Sequence, residues 1–274
     1  MSGRSDPSAL WESPDDRLFF RATFDEDPDA YDRTRPVCPP QVFDDVVELA
    51  GLRPGRRILE IGPGTGQATR PLAERGLAVV AVELGPRLAE RARANLRGFD
   101  AVTVFTGSFE QWDPAGERFD AVFSCNAFHW VDPDVRFAKA AAVLRPGGHL
   151  VVIATPWVVP DDADSFWWEV QDDYVAIGGE RLDPATAHPD RVRDLSPSVI
   201  ASGYFRDPVS RRYRFDVEFS VSDYLANLST QSGIKRFGVA QRRELLERVR
   251  RRIEARGATL RAHLLSVLTV AEVR

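Results

Sequence analysis

The sequence predicts an α/β fold built on a mostly parallel sheet, and three observations predict it. Between Arg56 and Pro156, short β-rich apolar runs alternate with helical patterns. The apolar runs are nearly continuous, as strands covered on both faces require. A glycine-rich break follows the first run, and a proline opens a later helical pattern.

Taken in order, RRILEI (56–61) reads as the first strand, and Thr65 to Arg75 as a helix after the glycines. LAVVAVE (77–83) is a second strand, and Pro86 to Leu96 a helix with proline in its first turn. AVTVFTG (101–107), FDAVFSC (119–125) and HLVVIAT (149–155) are further strands, with a helix over about 133–144 between the last two. From Trp157 to Arg206 the texture changes: acids mix with Phe166, Trp167, Trp168 and Tyr174, and Gly178, Gly179 and several prolines interrupt. This stretch reads as an inserted helical cap whose aromatics either form a local core or line a substrate pocket. YRFDVEF (213–219) alternates with period two, the mark of a half-buried strand. In QRRELLERVRRRIEARG (241–257), Leu245, Leu246, Val249 and Ile253 share one helical face. Glu244, Glu247 and Glu254 interrupt its arginines, which favours a solvated surface helix over a nucleic-acid contact. The closing LRAHLLSVLTVAEVR (260–274) supplies a last strand, expected to pair with 213–219 at the sheet edge.

Composition sets the frame for function. With 43% hydrophobic and 28% charged residues in 274, the chain can build a core without metal or disulfide staples. A net charge of -5 argues against a surface made to neutralise nucleic acid. Cys38 and Cys125 fit neither a zinc spacing nor a disulfide framework, so they read as free thiols in a reducing compartment, and no metal site is expected. The N-terminal MSGRSDPSALWESPDDR has no apolar signal core, and no run approaches the ~20 apolar residues of a membrane span. A cytoplasmic protein is the expectation.

The glycine break, GPGTG at 62–66, is shared by several kinds of nucleotide site, so its neighbours must decide. A triphosphate loop needs lysine and Ser or Thr after its last glycine, and here Gln67 and Ala68 follow Gly66. A dinucleotide fingerprint wants its third glycine one residue later, where Gln67 stands. Glu60 would repel a pyrophosphate but attract an ammonium. Glu83 ends the second strand, where a carboxylate can accept from both hydroxyls of a ribose. The set describes a ligand with an amino group at one end and an unphosphorylated nucleoside at the other, a description that S-adenosylmethionine fits.

EIGPGTG (60–66), VVAVELG (79–85), GSFEQWD (107–113), FDAVFSCNAFHWVDP (119–133) and LRPGGHLVV (144–152) form an ordered set. The set resembles the successive motifs of class I S-adenosylmethionine-dependent methyltransferases, with closest likeness to the trans-aconitate methyltransferase-like small-molecule branch. FDEDPDAYDRTRPVCPP (24–40) is similar to the opening Y-x-x-x-R-P-x-Y-P segment of that branch, with Cys38 in place of its second aromatic. The resemblance covers residues 24–156 well and the last third loosely. It implies a Rossmann-like, seven-stranded, mostly parallel sheet with one antiparallel edge strand, helices on both faces and a helical cap after the fifth strand. The expected segments are an N-terminal lid (1–40), a cofactor-binding core (41–156), a substrate cap (157–206) and a C-terminal return to the sheet (207–274).

By the same resemblance Gly62, Gly64 and Gly66, with Gln67 after them, bring backbone to the methionine part of S-adenosyl-L-methionine, with Glu60 near its ammonium. Glu83 holds the ribose and Leu84 packs on the adenine. Ser108, Phe109 and Glu110 sit at the adenine ring. Asn126, Ala127, Phe128 and Trp130 line the site, the two aromatics facing the sulfonium. Tyr31 and Arg35 close over the cofactor, Arg35 with a fork suited to its carboxylate. His129 either acts as a base toward a hydroxyl acceptor or packs without moving a proton. Trp157, Trp167, Trp168 and Tyr174 are the candidate acceptor wall. The expected activity is methyl transfer to a small, largely apolar molecule, as O-methylation of a carboxylate or hydroxyl, with a place in secondary metabolism. C- or N-methylation, and a binding protein that transfers no methyl, stand as alternatives. Glu60 and the glycine spacing disfavour a nicotinamide oxidoreductase.

Overall fold

The computed structural model describes residues 14–274; residues 1–13 of the expected lid lie outside the described residues. The first half of the chain forms α1 (Pro14–Ala22), α2 (Pro28–Thr34), α3 (Pro40–Leu49), β1 (Arg57–Ile61), α4 (Thr69–Glu74), β2 (Ala78–Glu83), α5 (Pro86–Leu96), β3 (Val102–Thr106) and β4 (Phe119–Cys125). Then come α6 (Arg136–Ala142), β5 (Leu144–Ala154), β6 (Trp157–Val158), α7 (Phe166–Ala176), α8 (Ser196–Ser202), β7 (Phe205–Ser220), α9 (Val221–Ser229), α10 (Ser232–Lys235), α11 (Val239–Glu254) and β8 (Thr259–Val273). The chain divides into two compact units. The sheet unit comprises Val37–Thr155, Asp194–Tyr213 and Ser266–Arg274. The second gathers the described part of Met1–Pro36 with Pro156–Arg193 and Arg214–Leu265. The stretch 157–206 is therefore shared, with 157–193 in the second unit and 194–206 in the sheet unit.

The strands hydrogen-bond in the order β3-β2-β1-β4-β5-β8-β6, with β7 also on β8. Neighbours from β3 to β5 run parallel, and β8 is antiparallel to β5. These eight strands exceed the expected seven because Trp157 and Val158 add a two-residue strand opposite Leu264 and His263. β8 pairs with β7 as its sequence suggests and has neighbours on both sides. Its run from Val267 to Ala271, apolar but for Thr269, is buried throughout, as an interior strand demands.

Strand alternation splits the apolar side chains of the sheet unit between its two faces. Ile58, Val79, Ala81, Ala121, Phe123, Val151 and Ile153 pack with Val42, Phe43 and Val46 of α3 and Leu72 of α4. Leu59, Val80, Val82, Val122, Leu150 and Val152 pack on the other face with Phe137 and Ala140 of α6 and Val199 of α8. Helices on both faces are thus the consequence of strands with no polar side. β5 begins five residues earlier than its apolar run because a register shift between Phe119 and Ala121 lets Leu144 pair with Phe119. Gly147, at φ +74, and Gly148, where a Cβ would meet Arg145 O at 2.9 Å, make that irregularity possible.

The second unit has its own core. Phe166 and Val170 of α7, Leu225 and Leu228 of α9, Leu245, Val249 and Ile253 of α11, and Leu260 and Leu264 of β8 are all buried. The face predicted for α11 is the face it buries, with Leu246 only partly covered. Arg252 of α11 grips Asp173 of α7 through Nε–Oδ2 at 2.6 Å and Nη2–Oδ1 at 2.9 Å, and Arg256 pairs with Glu169.

Candidate functional site

In an open parallel sheet, ligands lie beyond the carboxyl ends of the strands where the order reverses. Here the reversal falls between β1 and β4, and the predicted motifs stand at those strand ends. β1 runs into Gly62, Gly64 and Gly66, whose φ values of +67, +59 and +89 place all three in the left-handed region. That backbone cannot continue a right-handed helix, so α4 starts at Thr69 and not at Thr65. Two of the glycines are also sterically required. A Cβ on Gly62 would lie 2.5 Å from the Ala127 Cβ, and one on Gly66 would lie 2.7 Å from Leu96 Cδ1.

The two acids differ sharply in how they are held. Glu83 is stitched to backbone: Gly64 N–H donates to its Oε2 at 2.9 Å and Gly85 N–H to its Oε1 at 2.9 Å. It thereby ties the end of β2 to the glycine loop. Glu60 is fully buried, and neither of its carboxylate oxygens has a hydrogen-bond partner. Burial lifts its pKa to about 8; the nearby Thr69 hydroxyl works against that rise and the charge of Glu83 adds to it. The hydroxyls of Thr65 and Thr69 are likewise buried without a hydrogen bond of regular geometry. Four orphaned polar atoms thus cluster on one loop and its helix start. A buried polar atom left unpaired costs about 1–3 kcal/mol, more when charged. The donor set needed is a cation or several N–H groups, which suits the amino-acid end of the ligand the sequence implied. Sequence reasoning missed Thr65 and Thr69, although a hydroxyl one turn into the helix after such a loop is a readable sign.

The remaining predicted residues of the sheet unit fall into distinct environments. Leu84 and Gln67 are partly exposed beside the loop. Ser108 accepts the amides of Gln111 and Trp112 at 3.1 and 2.9 Å, turning the chain after β3. Phe109 is buried in the core, with Lys139 Nζ 5.4 Å from its ring centroid. Glu110 accepts the Asp132 amide at 3.1 Å, and Lys139 binds the carbonyls of Glu110 and Trp112 at 2.9 and 2.6 Å. The Glu110 carboxylate therefore fastens the 132 turn.

Asn126, at φ +57, is in the left-handed region, and its Oδ1 accepts the Thr155 amide at 2.6 Å. The turn it makes brings Ala127 against Gly62. Phe128 points into the core, edge-on to Phe137 at 5.3 Å, with Arg136 5.7 Å from its ring centroid. Of the two aromatics expected to face a cation, only Trp130 is partly exposed, its ring 5.1 Å from that of His129. His129 is pushed down to about 4, first by burial and then by Arg136, so its imidazole is neutral and weakly basic at physiological pH.

The other predicted residues belong to the second unit. Arg35 donates through Nε to Thr230 Oγ1 at 3.1 Å and through Nη2 to Thr230 O at 2.8 Å, and lies over the rings of Tyr31 and Phe24 at 5.0 and 5.5 Å. The fork expected for a ligand carboxylate is engaged inside its own unit. Trp157 stacks on Phe219 at 5.7 Å and meets Trp167 and Tyr224 edge-on at 5.8 and 6.0 Å. Tyr174 packs on the same core, its hydroxyl pushed up to about 12 by burial. Trp168 stands apart, 40% exposed. The indole N–H of Trp167 is buried without an acceptor.

Among the described residues no group of three or more metal-ligating side chains occurs, and no helix is long and apolar enough to cross a membrane. Residues 59–152 match the family model described as a methyltransferase domain. An uncharacterized methyltransferase of Mycobacterium tuberculosis is 40% identical over 124 residues, 45% of this chain and 48% of that protein. The demethylmenaquinone methyltransferase of Tropheryma whipplei is 32% identical over 142 residues, 48% of this chain and 57% of that protein. The chain thus spans about half the length of the curated relatives it matches. A solved structure described as a type II methyltransferase of Anaeromyxobacter dehalogenans aligns over 87% of this chain and 97% of its own, with TM-score 0.61 and 21% identity. At that identity the likeness is one of fold.

Proposed function

We propose that the chain, whose residues 59–152 match the methyltransferase-domain family model, acts as a class I S-adenosylmethionine-dependent methyltransferase and transfers a methyl group from S-adenosyl-L-methionine to a small, largely apolar acceptor. The observation that carries the reading is the orphaned Glu60 carboxylate beneath a glycine loop whose facing residue, Ala127, leaves no room for a Cβ at Gly62. A cation delivered to Glu60 would remove the cost of its isolation. Gly62, Gly64 and Gly66 would let backbone approach the amino-acid end, with the Thr65 and Thr69 hydroxyls as further partners. Glu83 would take the ribose, alongside or in exchange for the Gly64 amide. Trp130, the partly exposed aromatic of its motif, would face the sulfonium, and the buried Phe109 and Phe128 would support the site from the core.

When bound, the cofactor supplies an electrophilic methyl group. The chain's own task is to align the acceptor and exclude water. His129, held near 4, is too weak a base to ionise an alcohol at physiological pH. This favours an acceptor that arrives as an anion, a carboxylate above all, and with it O-methylation. For the acceptor wall, the support is the unpaired indole N–H of Trp167 within the aromatic group of Trp157 and Tyr174, with Trp168 exposed beside it.

Calorimetry with S-adenosylmethionine, S-adenosylhomocysteine and NAD tests the cofactor. Binding of the first two and not the third is expected, and NAD binding alone would overturn the reading. Transfer of labelled methyl into a cell extract, followed by alkaline release of the label, then tests for a methyl ester. Label that resists mild alkali would exclude the carboxylate.

A further inference from the structure

Cys38 and Cys125 are the chain's two cysteines, far apart in sequence, and the sheet unit brings them together. Cys125 closes β4, Cys38 lies just ahead of α3, and their sulfurs are 3.9 Å apart, unbonded. The Thr155 and Ser266 hydroxyls each lie 3.4 Å from Cys38 Sγ and 3.0 Å from each other. Hydrogen bonding from Cys125, helped by Ser266 and Thr155, holds the Cys38 thiol below the ordinary thiol value against the effect of burial, while Cys125 is raised. Of the two thiols, Cys38 is thus the one that ionises first. A thiolate is the reactive form toward peroxides and disulfides.

We propose that Cys38 and Cys125 are a modification site, a dithiol that closes to an intramolecular disulfide when it meets a small oxidant of the peroxide class. The Cys38 sulfur attacks one peroxide oxygen, the O–O bond breaks, and the departing hydroxide takes a proton to leave as water. The product is a sulfenic acid on Cys38. Cys125 then gives up its proton, its sulfur displaces the hydroxyl from the Cys38 sulfur, and a second water leaves. Two thiols and one peroxide become one disulfide and two waters, the sulfurs losing the two electrons that the peroxide gains. Burial selects the reagent: Cys38 is 7% exposed and Cys125 only partly so, which admits a small molecule more readily than a protein disulfide.

Closure also bears on the neighbouring turn. Asn126 Nδ2 donates to Cys125 Sγ at 3.8 Å, and Asn126 carries Ala127 beneath Gly62. Drawing the sulfurs in to about 2.05 Å pulls on that left-handed residue. Weaker cofactor binding in the oxidised protein is the expected consequence, and this part rests on the function proposed above.

The test is peroxide treatment of the reduced protein, read by mass and by binding. A loss of two hydrogens, a Cys38–Cys125 linked peptide after proteolysis without reductant, reversal by dithiothreitol, and S-adenosylhomocysteine binding about 5-fold weaker or more are expected. Cys38→Ser should show no linked peptide and keep its S-adenosylhomocysteine affinity under the same treatment. Sulfinic acid without a linked peptide, or a disulfide only between two copies, would overturn the site. A linked peptide with unchanged affinity would overturn the coupling. Failure of the reduced protein to bind S-adenosylhomocysteine would count against the methyltransferase reading, while the linked peptide still decides the dithiol.

Discussion

Replacing Glu60 by glutamine tests the centre of the proposed site, because it removes a titration while keeping the shape. The carboxyl titrates near 4.5 when exposed and is lifted to about 8 in the fold. At about pH 7 some nine in ten molecules of the empty protein therefore carry a proton there. Pairing with an ammonium favours the carboxylate, so cofactor binding should expel close to one proton per site. Affinity should then rise nearly tenfold per pH unit on approaching 8 from below. Calorimetry in buffers of different ionisation enthalpy reads this proton directly. The wild-type heat should vary with the buffer and the Glu60→Gln heat should not. Stability of the empty protein supplies a second reading. Because the folded value lies above the unfolded one, Glu60's contribution is fully present below about pH 4.5 and is lost as pH rises through 8. The span of 3.5 pH units at 1.36 kcal/mol each bounds that loss at about 5 kcal/mol. Glu60→Gln should flatten the decline and be the more stable protein at the alkaline end. Binding heats independent of buffer in the wild type would refute the reasoning.

Gly62→Ala forces φ +67 on a side chain and sets a Cβ 2.5 Å from that of Ala127; a loss of about 1–3 kcal/mol in urea unfolding and at least a tenfold loss of S-adenosylhomocysteine affinity are expected. Arg252→Ala leaves the buried Asp173 carboxylate without its two-pronged partner, which should cost about 3 kcal/mol. Arg252→Met combined with Asp173→Leu should recover most of it, and equal loss in both would show that the pair's charge is immaterial. His129→Gln should lower kcat less than about tenfold and leave its pH profile unmoved, since a working base contributes 10²–10⁴; a larger loss with a shifted profile would make His129 a base after all.

Much of the fold is written locally. β4 spans the residues its apolar run marks, Phe119–Cys125, and α5 the Pro86–Leu96 stretch opened by proline. The misses have long-range causes. α4 starts at Thr69 and not at Thr65 because the glycine loop, ending on Gly66 at φ +89, is in the left-handed region. β5 starts early because its partner β4 shifts register, a fact held in the pairing and not in either strand alone. That β8 has neighbours on both sides is likewise held in the pairing and not in its own sequence. At the site, the glycines and the two acids were legible as residue types at fixed spacing. What could not be read is how each side chain spends its hydrogen bonds. Glu110 and Arg35 looked like ligand contacts, yet their partners, Asp132 and Thr230, come from distant segments. Phe128 and Trp130 are two residues apart in one motif, but a single turn sends the first into the core and leaves the second half in solvent.

The two acids at the ends of β1 and β2 show why this difference matters for function. Both are buried glutamates near the carboxyl ends of adjacent parallel strands, Glu60 level with Ala81, two residues before Glu83. Glu83 has two backbone amides, so its charge is supported in the empty protein and gives the loop its shape. Glu60 has none, and the same burial lifts its pKa until the proton stays on at neutrality. A site with two charged carboxylates this close would repel itself when empty. In the proposed site, keeping one neutral until a cation arrives would avoid that repulsion and would make affinity depend on the ligand's ammonium. An amine-free analogue, such as S-adenosyl-3-thiopropionate, should therefore bind weakly and with no buffer-dependent heat, whereas binding as tight as S-adenosylhomocysteine would place the ammonium elsewhere.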